Sequence, residues 1–416
     1  MDTISQDQSS FIQHQLVPFE YHKKLRDHFK NKKKTWDWFA EDDNKNQQIE
    51  EFRSNLLKNT YRLDRESHEK LYLLIDEARA ILAIDAEVTL YQENNSVQLN
   101  AGISIIEKEA HIVLSGNLLS LLSDDELKAL LAHELSHYLF YKVDDEEFEI
   151  TQRIVLALAN DSRSEDAIIE TARIFQLYME LFCDIGSLKV CKDFRTVVQM
   201  LVKLNTGLSQ VNAESYLAQA KEIVRSDSTS TQNNSHPESY IRCLALKQYQ
   251  DNPLDYISNI KKLIEGELDL NQLDIFEQVD MQKHTRHLLQ LLLVPDWMNS
   301  SAITSLSKQY FSDFYRDVKG IAVADLAKIL ESARFSVKSY IAYVLLDFSM
   351  ADKDMEGAPM GYTLELSELL GIKDLYEKVI RKELKLSVRD FKLMQDRVMN
   401  ELQLTKENQA NSLYDD

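Results

Sequence analysis

The sequence predicts a mainly α-helical protein with a small α+β core and a helical C-terminal region. The chain has 416 residues, of which only 9 are glycines and 5 are prolines. This share is far below the roughly 12 % that these two residue types contribute to an average protein. So few helix breakers, together with a hydrophobic fraction of 44 %, indicate long helices. Strand-like alternation is confined to one short stretch, which limits the β structure to a small core.

Three strands are predicted in that stretch, from "EVTLYQ" (87–92), "SVQLNAGISII" (96–106) and "AHIVL" (110–114). The segment that follows has helical periodicity, and Ser123 followed by Glu126 three residues later is typical of a capping box. Helical spacing also predicts helices before the strands, in residues 19–80, and over most of the chain after them.

The charge and the cysteines exclude several classes of protein. The net charge of −20, from 68 acidic and 48 basic residues, argues against a nucleic-acid binder, which needs a basic face to displace counterions. No window reaches the roughly 18 uninterrupted apolar residues that a membrane span requires. The N-terminus lacks the pattern of a signal peptide, and three cysteines without a pairing pattern favour a reducing compartment. We therefore expect a cytoplasmic protein.

Histidines and a carboxylate interrupt the apolar run "LLAHELSHYL" at residues 130–139. His133 and His137 are four residues apart, so on a helix both rings can bind one zinc ion. Glu134 lies about 100° around the helix, where it can take a proton from zinc-bound water, as in metalloproteases with the HExxH motif. The alternative is a chance occurrence of this short motif on an ordinary helix.

A zinc site of this kind needs a third protein ligand. The helical stretch 164–190 offers Glu180 and Asp184, four residues apart among apolar neighbours, where an unpaired charge is costly. The alternative for Glu180 is an ion pair with Arg173 or Lys189, or simple exposure. A second group of carboxylates directly follows the motif, but it reads as a solvated turn and helix start; its members are Asp144, Asp145, Glu146 and Glu147.

The segments "LSDDELKALLAHELSH" and "ELFCD" resemble the HtpX and CAAX-prenyl-protease family of zinc metallopeptidases, which are gluzincins of peptidase family forty-eight. The resemblance implies a gluzincin core that holds one zinc ion through His133, His137 and Glu180. It also implies that Glu134 is the general base and that Asp184 orients a ligating histidine. Many members of the family are embedded in membranes, so this chain resembles a soluble variant.

Two further segments match the family. In "VQLNAGISI", Asn100 and Ala101 correspond to an Asn-Ala strand that pairs with the substrate backbone, although Gly102 replaces the usual aromatic residue. In "SHPESYIRCLAL", the resemblance implies that His236 helps to hold the oxyanion, and Arg242 corresponds to a later arginine of the family. An ordinary strand and a packing histidine are the respective alternatives.

The resemblance and the periodicity together divide the chain. We expect an N-terminal helical segment (1–64), a metallopeptidase domain (65–250), a helical C-terminal domain (255–402) and a flexible tail (403–416). Residues 335–372 also resemble TerB-like helical domains faintly, with a plain helical bundle as the alternative. The C-terminal domain is a possible site for a protein partner.

The function that we expect is that of a zinc metalloendopeptidase, which hydrolyses peptide bonds in a protein or peptide substrate through zinc-bound water activated by Glu134. The alternative is a catalytically weak, zinc-containing helical interaction or scaffold protein. These two hypotheses differ in whether Glu134 is needed for activity.

Overall fold

The structure is a computed structural model, and it describes most of the chain. The described residues are 16–41, 53–54, 56–94, 96–106, 108–225, 239–252 and 256–412. His236 and the polar stretch 226–235 lie outside these ranges.

The chain divides into two compact units, Met1–Gly266 and Glu267–Asp416. The division falls beyond the boundary near residue 255 that the sequence predicts, because Glu265 and Ile264 still bond to a helix of the first unit. The hydroxyl of Tyr178 donates to Glu265 (2.8 Å), and Arg173 donates to the carbonyl of Ile264 (3.3 Å).

The first unit is mainly helical and contains the strands. Its described helices are α1 (Glu20–Lys30), α2 (Lys33–Ala40), α3 (Glu69–Leu82), α4 (Leu118–Leu121), α5 (Asp124–Lys142), α6 (Glu147–Ala159), α7 (Asp166–Cys191), α8 (Phe194–Thr206), α9 (Ala213–Arg225), α10 (Ser239–Asp251) and α11 (Tyr256–Ile264). These helices cover the stretches in which the sequence shows a helical period.

A four-stranded sheet forms the β part of this unit. Its strands are β1 (Thr60–Leu63), β2 (Glu87–Glu93), β3 (Asn100–Ile106) and β4 (Glu109–Ser115), in the order β1-β2-β4-β3. Strand β4 is parallel to β2 and antiparallel to β3, while β1 is antiparallel to β2. Strand β3 therefore lies at one edge of the sheet, and it packs against α5.

The sequence predicts three of these strands, β2, β3 and β4. The structure contains a fourth strand, β1, that the sequence does not predict. Strand β1 has four residues, "TYRL", of which only Leu63 is buried, so its sequence carries no clear alternation. Its position depends on pairing with β2, in which Leu63 lies opposite Leu90. Long-range pairing of this kind leaves little signal in a short stretch of sequence.

Helix α5 begins as the sequence predicts. Ser123 accepts a hydrogen bond from the backbone N–H of Glu126, whose side chain accepts one in return from the N–H of Ser123. This capping box satisfies two donors at the helix start. The Glu126 carboxylate also forms a buried ion pair with Lys203 of α8, at 2.8 Å. This pair connects the start of α5 to α8.

Helices α5 and α7 lie close together because the contact uses small residues. A Cβ at Gly186 would lie 2.0 Å from the hydroxyl oxygen of Ser136, so only glycine fits at that point of α7. At the next residue of α7, the hydroxyl of Ser187 donates to the carbonyl of Ala129 at 2.7 Å. This close approach brings the side chains of α7 to the motif on α5.

The second unit is a helical domain. Its helices are α12 (Ile275–Leu292), α13 (Ser301–Tyr310), α14 (Val323–Ser332), α15 (Phe335–Ser349), α16 (Ala358–Leu369), α17 (Lys373–Glu383) and α18 (Val388–Ser412). Its core consists of apolar side chains such as Leu288, Ile341 and Phe348, together with the buried ring of Tyr376.

The last helix corrects the expected flexible tail. Helix α18 extends to Ser412, so most of the segment 403–416 is helical. Lys406 in that segment pairs with Glu365 of α16 at 2.7 Å. Leu402 is buried, and a Cβ at Gly361 would lie 2.6 Å from the carbonyl of Val398, so α16 and α18 pack closely.

Among the described residues, no helix is both long enough and apolar enough to cross a membrane.

Candidate metal centre

The two motif histidines lie on α5 with their rings close together. The ring centres of His133 and His137 are 5.1 Å apart, and both side chains are buried. Glu134 is buried beside them on the same helix. One turn further, the ring of Tyr141 stacks on His137 at 6.1 Å. The helix therefore presents two imidazoles in one protected position.

Glu180 of α7 faces both histidines. Its Oε2 lies 3.3 Å from Nε2 of His133, and its Oε1 lies 3.8 Å from Nε2 of His137. The Glu180 side chain is 17 % exposed. Two imidazole nitrogens and one carboxylate thus converge from two helices, which is the donor set of a catalytic zinc site.

Asp184 lies behind His133. Its Oδ1 is 3.0 Å from Nδ1 of His133, while Nε2 of the same ring faces Glu180. Arg242 of α10 binds the same aspartate through two hydrogen bonds of 2.7 Å. Its Nη1 also lies 3.1 Å from Oε2 of Glu180. Arg242 therefore holds both carboxylates of α7 and fixes their distance from the histidines.

This network shifts the pKa values of its members. Burial lowers the pKa of His133, but the hydrogen bonds and charges of Asp184 and Glu180 outweigh it and raise that pKa to about 10. Burial lowers the pKa of His137 to about 4. Burial raises the pKa of Glu134 to about 7. Burial raises the pKa values of Glu180 and Asp184, but the interactions with Arg242 and His133 outweigh burial and keep both pKa values below the ordinary range.

Cys183 is a further donor at this centre. One ligand atom each from His133, His137 and Cys183 lie within 4.8 Å of one another, and all three residues are buried. Burial, with the charges of Glu180 and Asp184, raises the pKa of the Cys183 thiol well above its usual value. The described residues therefore offer two candidates for a third ligand, a carboxylate and a thiol.

The carboxylates that directly follow the motif have basic partners instead. Asp144 pairs with Arg26 at 2.7 Å, and Glu146 pairs with Lys142. Glu147 pairs with Lys30 of α1. Asp145 is exposed in the same turn. The acidic turn therefore has basic partners within the described residues.

The sequence leaves open an ion pair of Glu180 with Arg173 or Lys189 as the alternative to metal binding, and in the structure Arg173 bonds to Glu170. Glu180 pairs with the more distant Arg242, and sequence reasoning gave that arginine no definite role. A buried carboxylate such as that of Asp184 needs a cationic partner, and Arg242 lies inside the apolar run "YIRCLAL". Both positions are unusual for charged residues, but the sequence does not show that these two residues pair with each other.

The predicted substrate strand lies beside the motif helix. Asn100 and Ala101 begin β3, opposite Ser115 and Leu114 of β4. At Gly102 a Cβ would meet nothing within 4 Å, so the position of the usual aromatic residue opens onto free space.

Two comparisons with known proteins found similarity to peptidases. The model of peptidase family M48 matches residues 65–250. A relative in Arabidopsis thaliana, the plastoglobule-localized metallopeptidase 48 of the chloroplast, is 30 % identical over 210 residues. That match covers 46 % of this chain and 60 % of the relative. No solved structure matches the chain.

The family match ends at residue 250, so it gives no support to the TerB-like resemblance of residues 335–372. Members of the matched family are metallopeptidases, and the buried group around His133 and His137 has the donors that such an enzyme requires. Residues 65–250, which are somewhat less than half of the chain, therefore resemble peptidase family M48.

Proposed function

We propose that the chain is a zinc-dependent metalloendopeptidase that hydrolyses peptide bonds. The observation that carries the proposal is the convergence of three donors. The Nε2 atoms of His133 and His137 face one carboxylate, that of Glu180, across the contact between α5 and α7. The family match over residues 65–250 supports the same reaction class.

The residues that would hold zinc are His133, His137 and Glu180. Two histidines and a glutamate are a common ligand set of catalytic zinc, with the fourth position left for water or substrate. When bound, zinc lowers the pKa of water and polarises the scissile carbonyl. Asp184 keeps the Nδ1 proton on His133, and Arg242 keeps Asp184 and Glu180 charged and in place.

Glu134 is the proposed general base. It accepts the proton of the water that attacks the scissile carbonyl carbon, and it delivers that proton to the amine when the C–N bond breaks. Its position on α5 next to His133 supports this role, because it lies off the face that carries the two histidines.

The substrate is proposed to bind as an added strand. Strand β3 lies at the sheet edge and packs against α5, and an extended peptide can pair with the backbone there, beginning at Asn100 and Ala101. The free space at Gly102 would accommodate a substrate side chain. His236, which lies outside the described residues, remains the proposed oxyanion contact.

A cytoplasmic or other reducing location is also proposed. Cys183, Cys191 and Cys243 are all free thiols, as expected where disulfides do not form. The relative in Arabidopsis is named for the chloroplast plastoglobule, so the compartment of the present chain needs its own measurement.

One observation favours a second candidate function. Cys183 lies close enough to both histidines that the chain offers a possible closed site, in which a thiolate and a carboxylate both bind the metal. Closed four-ligand sites stabilise a fold and carry no water for hydrolysis. In that case the protein would be a zinc-containing scaffold, and a change at Glu134 would leave its properties unaltered.

Metal analysis of the purified chain tests the proposed function. We expect one zinc per wild-type chain, and hydrolysis of an unfolded substrate such as labelled casein. His137→Ala should contain no zinc and should not cleave, whereas the matched control His68→Ala should behave as wild type, since His68 lies outside the centre. Stoichiometric zinc in His137→Ala would contradict the proposal.

A further inference from the structure

A groove in the second unit combines basic and apolar side chains. It has a volume of about 780 Å³ and is lined by residues of α15 and α17 and of the turn before α17. Four lysines line it: Lys338, Lys373, Lys378 and Lys382. Asp374 is the acidic residue in that lining, so the described groove carries an excess of positive charge.

This basic groove stands out because the chain as a whole is acidic, with a net charge of −20. Two of its lysines have acidic neighbours, since Lys373 pairs with Glu368 at 2.8 Å and Lys382 lies 3.5 Å from Glu383. The ammonium group of Lys338 donates a hydrogen bond to the backbone carbonyl of Glu331 at 3.4 Å.

Lys378 is exposed on α17, and among the described residues neither it nor Lys338 forms an ion pair with a carboxylate. Two ammonium groups in one groove thus remain available to an anionic ligand.

The groove also has apolar residues in its lining, among them Ile372, Leu375 and Val379. Phe335, at the start of α15, is 70 % exposed on the same groove. Exposed aromatic side chains beside apolar neighbours are typical of protein-binding surfaces, where they serve as anchors. The groove therefore offers an apolar floor and a cationic border.

We propose that this groove binds an acidic peptide segment that carries at least one bulky apolar side chain. The lysines of both helices would pair with the carboxylates of the segment, and its apolar side chain would pack against Phe335 and Leu375. The ligand is a segment of another protein.

A peptide fits these observations better than a membrane or a nucleic acid. The lysines border a concave groove, and a peptide can enter such a groove with its side chains. Binding to a lipid surface requires a convex or planar basic face instead. A long polyanion would be repelled by the net charge of the whole chain, but a short acidic segment interacts mainly with the charges within about one Debye length, ~10 Å.

Fluorescence anisotropy with the full chain tests the proposal. The probe is a labelled peptide of glutamates with a central pair of phenylalanines. We expect the wild type to bind it, with an affinity that falls as salt is raised. A lysine peptide with the same phenylalanines should not bind.

The charge-reversed variant Lys338→Glu/Lys378→Glu should weaken binding by about tenfold or more, because two attractive pairs become repulsive. The matched control is Lys308→Glu/Lys328→Glu, which makes the same change of charge at two exposed lysines outside the groove and should bind as wild type. Phe335→Ser should remove the preference for the peptide with phenylalanines over an all-glutamate peptide.

Three results would overturn the proposal. The first is a lack of binding by the wild type. The second is equal binding by the Lys338→Glu/Lys378→Glu variant. The third is binding of vesicles that contain phosphatidylglycerol, abolished by the same two changes, without binding of the peptide, which would assign the groove to a membrane.

Discussion

The interiors of the two units differ in what they bury. The first unit buries a connected set of ionisable groups around α5 and α7, in which Asp184 contacts both His133 and Arg242. In the described part of the second unit, the core consists of apolar side chains, and its buried carboxylate, Asp274, caps the start of α12. Because a buried charge costs free energy, a network of several charges indicates a function that requires it.

The two units also differ in their ion pairs. Arg242 is buried and satisfies two carboxylates, whereas the described pairs of the second unit, such as Lys406 with Glu365, are largely exposed. Exposed pairs contribute little to stability. The buried pairs of the first unit are thus the ones whose removal should have large consequences.

The largest expected effect is on metal binding. Glu180→Ala should lose most zinc and all activity, because a charged ligand is removed from a site of three. Cys183→Ser should keep its zinc if the thiol is not a ligand. Asp184→Ala should weaken zinc binding by roughly 10–100-fold, the usual consequence of losing a group that orients a ligating histidine.

Titration of zinc against a competing chelator measures all three variants, with Glu146→Ala as the unchanged control. Loss of zinc in Cys183→Ser, with retention in Glu180→Ala, would give the third position to the thiol and favour the scaffold alternative.

The next effect is on folding. Arg242→Met should lower the free energy of unfolding by about 3–5 kcal/mol, since it leaves two buried carboxylates without their cation. The matched change Arg195→Met, at an exposed arginine that pairs with Glu214, should cost about 0–1 kcal/mol. Urea unfolding of both variants measures the difference, and equal losses would mean that the network does not stabilise the unit.

A smaller effect concerns pH. His22 is surrounded by the rings of Phe140, Phe148 and Phe175, and burial lowers its pKa to about 3. Between pH 6.5 and pH 3, His22 therefore binds a proton in the unfolded chain but not in the folded chain. The free energy of unfolding therefore decreases as the pH falls, by up to about 1.4 kcal/mol per pH unit from this residue.

Removal of the imidazole should make stability less dependent on pH. We expect His22→Leu to lose less stability than the wild type between pH 7 and pH 5, by about 2 kcal/mol at most. Urea unfolding at the two pH values is the measurement. The same slope in both proteins would show that His22 accepts a proton within the folded chain.

The smallest expected effect is that of the second unit on the metal centre. All proposed ligands lie in Met1–Gly266, which is compact by itself, so a chain that ends at Gly266 should still bind one zinc. Zinc analysis and circular dichroism of that chain test this. Failure to fold would show that the second unit contributes to the stability of the first.

The sequence predicts local features of the fold and the site well. The capping box at Ser123 and the spacing of His133 and His137 depend on contacts within one helix, so the residues themselves carry the signal. Pairings between distant segments are harder to predict. Strand β1 has four residues, and helix α18 continues through a polar segment because α16 packs against it.

The roles of Arg242 and Cys183 illustrate the same limit within the site. Arg242 lies 58 residues from Asp184 in sequence, and its pairing depends on how α10 packs against α7. Cys183 comes close to the histidines only because α5 and α7 approach tightly at Gly186. Neither contact has a spacing that could be recognised in one sequence.

A comparison of Glu134→Gln with the wild type tests whether Glu134 is the general base. Both proteins should bind one zinc per chain and unfold at the same urea concentration, because Glu134 is not a proposed ligand. Only the wild type should cleave an unfolded labelled substrate, since glutamine cannot accept the proton. Cleavage by Glu134→Gln at the wild-type rate would contradict the account.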